Sequence, residues 1–237
     1  MTGADLASSV KGQHQSGTGG VPGPLLVVRD LAVARDDHVL LAGLSFSLAA
    51  GDLLQLEGPN GVGKTSLMRV LTTTAAPDSG SMTWRGKDMP SARTALRSEL
   101  LFIGHLAGIK RSLTPRENLA WYGADGDAAE AALAWIGLGG YEDTPCHQLS
   151  AGQNRRVALA RLHFSGARLW ILDEPFTALD KSGVATLEAR LRAHCAAGGM
   201  VILTSHQDLA IDGLQRLKLQ EFVPQAGVEL AEVAGVY

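Results

Sequence analysis

The run Gly58-Pro59-Asn60-Gly61-Val62-Gly63-Lys64-Thr65 sets three glycines, a lysine and a hydroxyl between an apolar stretch and a helical-looking one. Its spacing fits G-x-x-x-x-G-K-[ST] without a gap. Successive backbone N–H groups can curl around phosphate oxygens only where the chain visits conformations that side chains disfavour, and glycine supplies these. The helix that follows aims its positive end at the same anion. Lys64 is expected to neutralise the β- and γ-phosphates of a nucleotide, and the Thr65 hydroxyl to ligate Mg²⁺. A second chemical pair, Asp173 and Glu174, ends the apolar run "LWIL". Asp173 is positioned to hold Mg²⁺, and Glu174 to orient or deprotonate an attacking water. Taken alone, the same two acids also read as a helix-capping pair in a strand-to-helix turn. Together with the lysine loop they make one phosphoryl-transfer layout.

These groups need elements to hold them. "LLVVRDLAVA", "HVLLAGLSFSL", "GDLLQLEG" and "GSMTWRGKDM" read as strands, and "KTSLMRVLTT" as a helix with Leu67, Val70 and Leu71 on one face. From residue 91 to about 148 helical patterns dominate: "SARTALRSEL", "TPRENLAWYG" and "DAAEAALAWIGL", with "LLFIGH" as a strand among them. "TPRE" offers a threonine cap, a proline at the first helical position and a glutamate at the third. "RLWILDEP" and "MVILTSH" are compact apolar runs suited to strands buried on both faces. Strands alternating with helices imply a parallel sheet and an α/β fold with a helical insertion. Buried on such a strand, Asp173 would reach the sheet's C-terminal edge, where α/β ligands sit.

Composition narrows the function classes. A chain of 237 residues, 46% hydrophobic, can bury a real core as one domain or a domain with a subdomain, and a formal charge of −3 gives no basic field to recruit nucleic acid. Cys146 and Cys195 lie far apart without metal or redox spacing, so they read as idle thiols in a reducing compartment. No run approaches the roughly 18 apolar residues of a membrane span, and no direct lipid insertion is expected. No secretion signal opens the chain, so it is expected to be cytosolic. Residues 1–24, rich in Gly and Ser, are expected to form a disordered extension without chemistry.

Leu149-Ser150-Ala151-Gly152-Gln153, just before the helix "NRRVALARLHF", closely resembles the LSGGQ signature of ABC ATPases, with alanine at the third position. "LDEPFTALD" resembles the extended Walker B segment and D-loop, ending in Asp180, and "TSHQDL" puts His206 at the family's switch histidine. The resemblance covers residues 25 to 215 in the family's order. It implies a P-loop NTPase core, RecA-like, with an antiparallel β edge. That gives one domain over 25–237, its core at 25–90 and 149–237 and a helical subdomain at 91–148. It implies nucleotide binding by Gly58 through Ser66, with ATP and Mg²⁺ as cofactors. Lys64, Glu174 and His206 are then the catalytic set, His206 contacting the γ-phosphate and steadying Glu174. The signature, with Ser150 and the Gly152 backbone foremost, would grip a second copy's γ-phosphate in a head-to-tail homodimer. Arg155, Arg156 and Arg161 are read as a structural and solvated helix face.

Two positions depart from the family pattern. The adenine-stacking aromatic is replaced by Arg35, whose guanidinium can also stack on a base. The Q-loop glutamine is absent from "GHLAGIK", leaving His105 to take over part of its contacts or to be a plain loop residue. These departures, with "LSAGQ" and "PFTALD", resemble the ATP-binding subunit of cytochrome c maturation haem exporters. That resemblance implies integral membrane permease partners and a peripheral place on the cytoplasmic face of the inner membrane. No C-x-x-C-H motif occurs, so no haem is expected on this chain. Three alternatives stay open: an exporter of lipids, lipoproteins or small molecules, a soluble ABC ATPase of translation or DNA repair, and an adaptor that binds ATP without turnover. The second is disfavoured by a single cassette without heptads, the third by an intact Lys64, Asp173, Glu174 and His206.

Overall fold

A computed structural model describes residues 23–36, 38–207 and 209–224. The expected N-terminal extension therefore falls outside the described residues, apart from its last two positions. Two sheets form the molecule's frame. Strands β1 (Leu26–Arg35), β2 (His38–Leu48), β4 (Ser79–Trp84) and β5 (Lys87–Asp88) make an antiparallel sheet in the order β2-β1-β4-β5. Strands β3 (Leu53–Glu57), β6 (Leu100–Ile103), β7 (Leu169–Leu172), β8 (Met200–Thr204) and β9 (Leu214–Lys218) make a parallel sheet in the order β6-β7-β8-β3-β9.

Side chains on successive strand residues point to opposite faces, so an unbroken apolar run serves two cores at once. In β7, Leu169 and Ile171 join one core, while Trp170 and Leu172 join the other. In β8, Met200 and Ile202 divide from Val201 and Leu203 in the same way. The first core packs the parallel sheet against the antiparallel sheet and α1 (Lys64–Leu71), through Leu67, Met68 and Leu71. The second packs it against α5 (Ala151–Phe164) and α6 (Lys181–Ala196), through Val157, Leu159, Leu187 and Leu191. Leu172 is fully buried here, and its truncation to alanine is worth about 2–5 kcal/mol.

The stretch 91–148 divides between the two parts of the fold. Helix α2 (Arg93–Ser98) buries Leu96 in the first core, and β6 pairs in parallel with β7. What stands outside the sheet is α3 (Pro115–Trp121) and α4 (Gly126–Trp135), packed on α5. Helix α3 starts as its sequence suggests. The Thr114 side chain accepts from Glu117 N, the Glu117 side chain accepts from Thr114 N, and Pro115 follows the cap. Among the described residues, no helix is long and apolar enough to cross a membrane.

Candidate functional site

The lysine loop leaves the C-terminal end of β3 and runs into α1. Gly63, at the helix N-cap, has φ 109°, and a Cβ there would lie 3.3 Å from Leu40 and Leu41 side-chain atoms. A Cβ on Gly58 would lie 2.7 Å from Val62 Cγ1. Both positions therefore need glycine, one for its dihedral and both for their space. No side chain caps α1, so the N–H groups of its first turn are free for an external acceptor. Lys64 Nζ donates to Gly58 O at 2.7 Å, which holds the ammonium against the loop. Thr65 is exposed at the head of the helix.

The carboxylates leave the C-terminal end of β7, two strands away from β3, and His206 follows β8 between them. Asp173 is 6% exposed, and its Oδ1 accepts from Thr204 Oγ1 at 2.8 Å. Glu174 adopts φ 50°, a left-handed conformation that is uncommon outside glycine, and its N–H donates to Thr204 Oγ1 at 2.8 Å. Its Oε1 is buried without a hydrogen bond, and His206 Nε2 stands 3.5 Å away. A desolvated carboxylate oxygen with a titratable ring beside it is suited to hold a water or take its proton. Gln55, buried at the middle of β3, donates through Nε2 to Ser205 O at 3.2 Å and so holds the segment before His206. An amide among the leucines of β3 was the available sign of this link.

Among the described residues, the signature segment joins neither group by hydrogen bonds. Ser150 caps α5 in a reciprocal box, its Oγ accepting from Gln153 N while Gln153 Oε1 accepts from Ser150 N. The Ser150 hydroxyl keeps its own hydrogen to donate elsewhere. Leu149 is buried, Ala151 is exposed, and Gly152 lies so close to Ala178 that a Cβ would meet its carbonyl oxygen at 3.1 Å. Asp180 caps α6 through Gly183 N at 2.9 Å and pairs with Arg156 at 3.2 Å. The Gly183 N–H, aided by Arg156, holds the Asp180 carboxyl below its ordinary range.

The three arginines do not form a solvated face. Arg155 is 8% exposed and reaches under the carboxylates, donating from Nη1 to Gly104 O and from Nη2 to Asp173 O and Glu174 O. The Arg161 guanidinium lies over the Tyr122 ring at 3.7 Å, and burial lowers its pKa from the ordinary value. Helix α5 lies between the sheet and α3–α4, so an arginine at its first turns has backbone carbonyls within reach rather than water.

Comparison with known proteins settles the family. The family model described as ABC transporter matches residues 41–177. The chain belongs to the ABC transporter family. It is 56% identical over 184 residues to the cytochrome c biogenesis ATP-binding export protein CcmA of Pseudomonas putida, covering 76% of this chain and 88% of that one. Against the protein of the same description from Salmonella typhi it is 52% identical over 198 residues, covering 82% and 97%. A solved structure described as a putative ABC transporter ATP-binding protein from Pyrococcus furiosus shares the fold. It has a TM-score of 0.73 at 23% identity, covering 84% of this chain and 99% of that one. As an ABC ATPase the chain binds ATP, and the expected fold class, a parallel core with an antiparallel sheet and helices, is the one found.

The two departures from the ABC pattern have distinct surroundings. Arg35 ends β1 with its side chain 74% exposed and paired to Asp36 at 3.3 Å. It lines a cleft of about 390 Å³ together with Thr65, Ser66 and Arg69. That cleft runs from the lysine loop's helix to the end of β1. His105 is exposed after β6, and among the described residues it bonds to neither carboxylate. The group reaching from that strand exit to the carboxylate turn is Arg155.

Proposed function

We propose that this chain is the ATP-hydrolysing subunit of a membrane exporter serving cytochrome c biogenesis, with haem delivery as the process its turnover supports. The observation carrying this reading is the identity above half along nearly the whole length of relatives described as cytochrome c biogenesis ATP-binding export proteins. The cis half of the site comprises Gly58 through Ser66, Asp173, Glu174 and His206, all at one edge of the parallel sheet. Backbone N–H groups and Lys64 bind the β- and γ-phosphates, and Arg35 flanks the base. Glu174, whose Oε1 accepts no hydrogen bond among the described residues, orients and deprotonates the attacking water, and His206 steadies that carboxylate.

A hydroxyl and a carboxylate oxygen, from Thr65 and Asp173, suit Mg²⁺, a hard ion that keeps several of its ligands from water and substrate phosphate. Asp173 Oδ2 accepts no hydrogen bond from the described residues, which leaves it available. When bound, the ion neutralises charge on the β- and γ-phosphate oxygens.

The trans half is Leu149, Ser150, Ala151, Gly152 and Gln153 of a second copy. Ser150 donates its free hydroxyl hydrogen and the α5 N-terminus its dipole to the γ-phosphate. Asp180 sits beside the partner's site as D-loop residue. Two copies related by a two-fold axis then enclose two nucleotides. The dimer works on integral membrane permease subunits at the cytoplasmic face of the inner membrane. Leu106, 86% exposed beside a cleft that includes Ile109 and Leu149, and Trp121, 67% exposed, suit that contact.

The test is removal of the gene from its host. Covalent haem staining of all c-type cytochromes should disappear while b-type cytochromes remain, and the gene carrying Glu174→Gln should fail to restore them. Unchanged c-type staining in the deletion strain would remove the cytochrome c reading and leave the ATPase untouched.

A further inference from the structure

The turn that presents Glu174 is held at both ends by side chains for which the lysine-loop, signature and Walker B assignments have no use. Glu174 is at φ 50°, and a left-handed non-glycine residue persists only where its surroundings over-determine it. Thr204, fully buried at the end of β8, takes the Glu174 N–H and gives its own hydrogen to Asp173 Oδ1, each at 2.8 Å. Arg155, from the neighbouring helix, holds the opposite side. One Nη2 donates to the carbonyls of both Asp173 and Glu174, and Nη1 donates to Gly104 O at 2.7 Å. Valine would fill the space of Thr204 and leave two polar groups of this turn unpaired.

Burying a guanidinium this way is unfavourable unless its hydrogen bonds are well met, and among the described residues Arg155 Nε has no hydrogen-bond partner. Stability alone would be served by an apolar side chain at the site. What the guanidinium does offer is a rigid fork that spans three carbonyls on two segments. Its own backbone lies five residues beyond Ser150, little more than one turn of α5. The residue therefore ties the carboxylate turn to the signature helix on one side and to the exit of β6 on the other.

We propose that Arg155 and Thr204 are positioning residues that hold Glu174 in its hydrolytic geometry. Through Arg155, the placement of each protomer's own signature helix then governs the Glu174 of that same protomer. The inference rests on Glu174 being the group that activates water. Arg155 bonds only to backbone carbonyls and Thr204 to the carboxylate turn, and neither hydrogen-bonds to the lysine loop among the described residues, so their effect falls on turnover more than on nucleotide binding. Occupation of Ser150 by the partner's nucleotide then favours hydrolysis at the protomer's own site, and turnover depends on ATP concentration with positive cooperativity.

The test uses the purified full chain, with steady-state ATPase over a range of ATP·Mg²⁺, fluorescent-nucleotide binding and thermal melting. Misplacing a reacting group by about 1 Å lowers rate roughly 10²-fold, so Arg155→Met should lower kcat by about that factor while KM and nucleotide affinity stay within about threefold. Arg155→Lys, which keeps the charge and part of the bonding, should recover about tenfold of that loss and bring the Hill coefficient near unity. Thr204→Val should lower kcat about tenfold, and Thr204→Ser, keeping the hydroxyl, should not. In the double variant of Arg155→Lys with Glu174→Gln the losses should not multiply, because the arginine acts through the glutamate.

Wild-type kcat and cooperativity in folded Arg155→Lys and Thr204→Val would overturn the proposal, as would multiplying losses in the double variant. If Arg155→Met does not fold, the lysine and threonine variants carry the test. Wild-type turnover in Glu174→Gln alone would instead overturn the assignment of Glu174 on which the proposal rests.

Discussion

Lys64 is the residue whose removal has the plainest electrostatic consequence. Its ammonium lies against the Gly58 carbonyl, so it is already at the loop before any ligand arrives. A unit charge about 4 Å from a phosphate oxygen near a protein surface is worth about 4 kcal/mol, which corresponds to roughly 10³-fold in affinity. Lys64→Ala should weaken ATP binding by that order in a fluorescent-nucleotide titration and abolish turnover, with little change in melting temperature. A Kd within about threefold of the original would contradict the loop's role as a phosphate cradle. At the same scale, Asp173 and Glu174 resolve the ambiguity of two adjacent acids. Asp173 accepts from Thr204, and Glu174 Oε1 is buried beside His206, so neither side chain is spent on a helix cap.

Elements carry a different dependence, on pH. His194, near the end of α6, stacks on Trp170 of β7 with ring centroids 3.6 Å apart and an interplanar angle of 5°. Burial pushes the His194 pKa down to about 4 from the ordinary 6.5, with the Arg190 charge adding to the effect. A depressed histidine binds its proton in the unfolded chain before it does so in the folded one. The contact therefore contributes fully above pH 6.5, and its contribution is lost as pH falls through the interval down to about 4. Because the ring is partly solvated, about 1–2 kcal/mol is at stake. In His194→Phe, which keeps a ring on Trp170 but binds no proton, denaturation between those pH values should show a shallower loss of stability. An identical pH profile in the two proteins would refute the assignment.

The whole molecule is half of a catalytic unit on the reading proposed here. The lysine loop and carboxylates converge at one edge of the parallel sheet, whereas Ser150 caps α5 and Gly152, in its first turn, lies against Ala178. Within one chain no hydrogen bond joins the two groups among the described residues, and on the proposed reading a second chain supplies the signature to the nucleotide. Glu174→Gln, which can still bind ATP but lacks a base, should accumulate as a dimer with ATP·Mg²⁺ and return to monomer with ADP. Size-exclusion chromatography with light scattering reads this directly, and a monomer under the first condition would count against the head-to-tail pair. Ser150→Ala should keep nucleotide binding and lose that dimer.

Much of this was legible along the chain, and for a local reason. The phosphate loop, the Thr114 capping box and the doubly buried strands depend on residues within a few positions of each other, so spacing alone encodes them. The partners of buried polar groups are different. Thr204 meets Asp173 only because β7 and β8 are neighbours in register, and Gln55 meets Ser205 only because β8 lies beside β3. Arg155 looked like part of a solvated helix face, yet the packing of α5 between the sheet and α3–α4 removes it from water. Short-range periodicity determines which residues form each element, while strand order and helix docking decide which distant polar groups must satisfy one another. The lysine loop could thus be read from eight residues, whereas the clamp behind Glu174 required the folded chain.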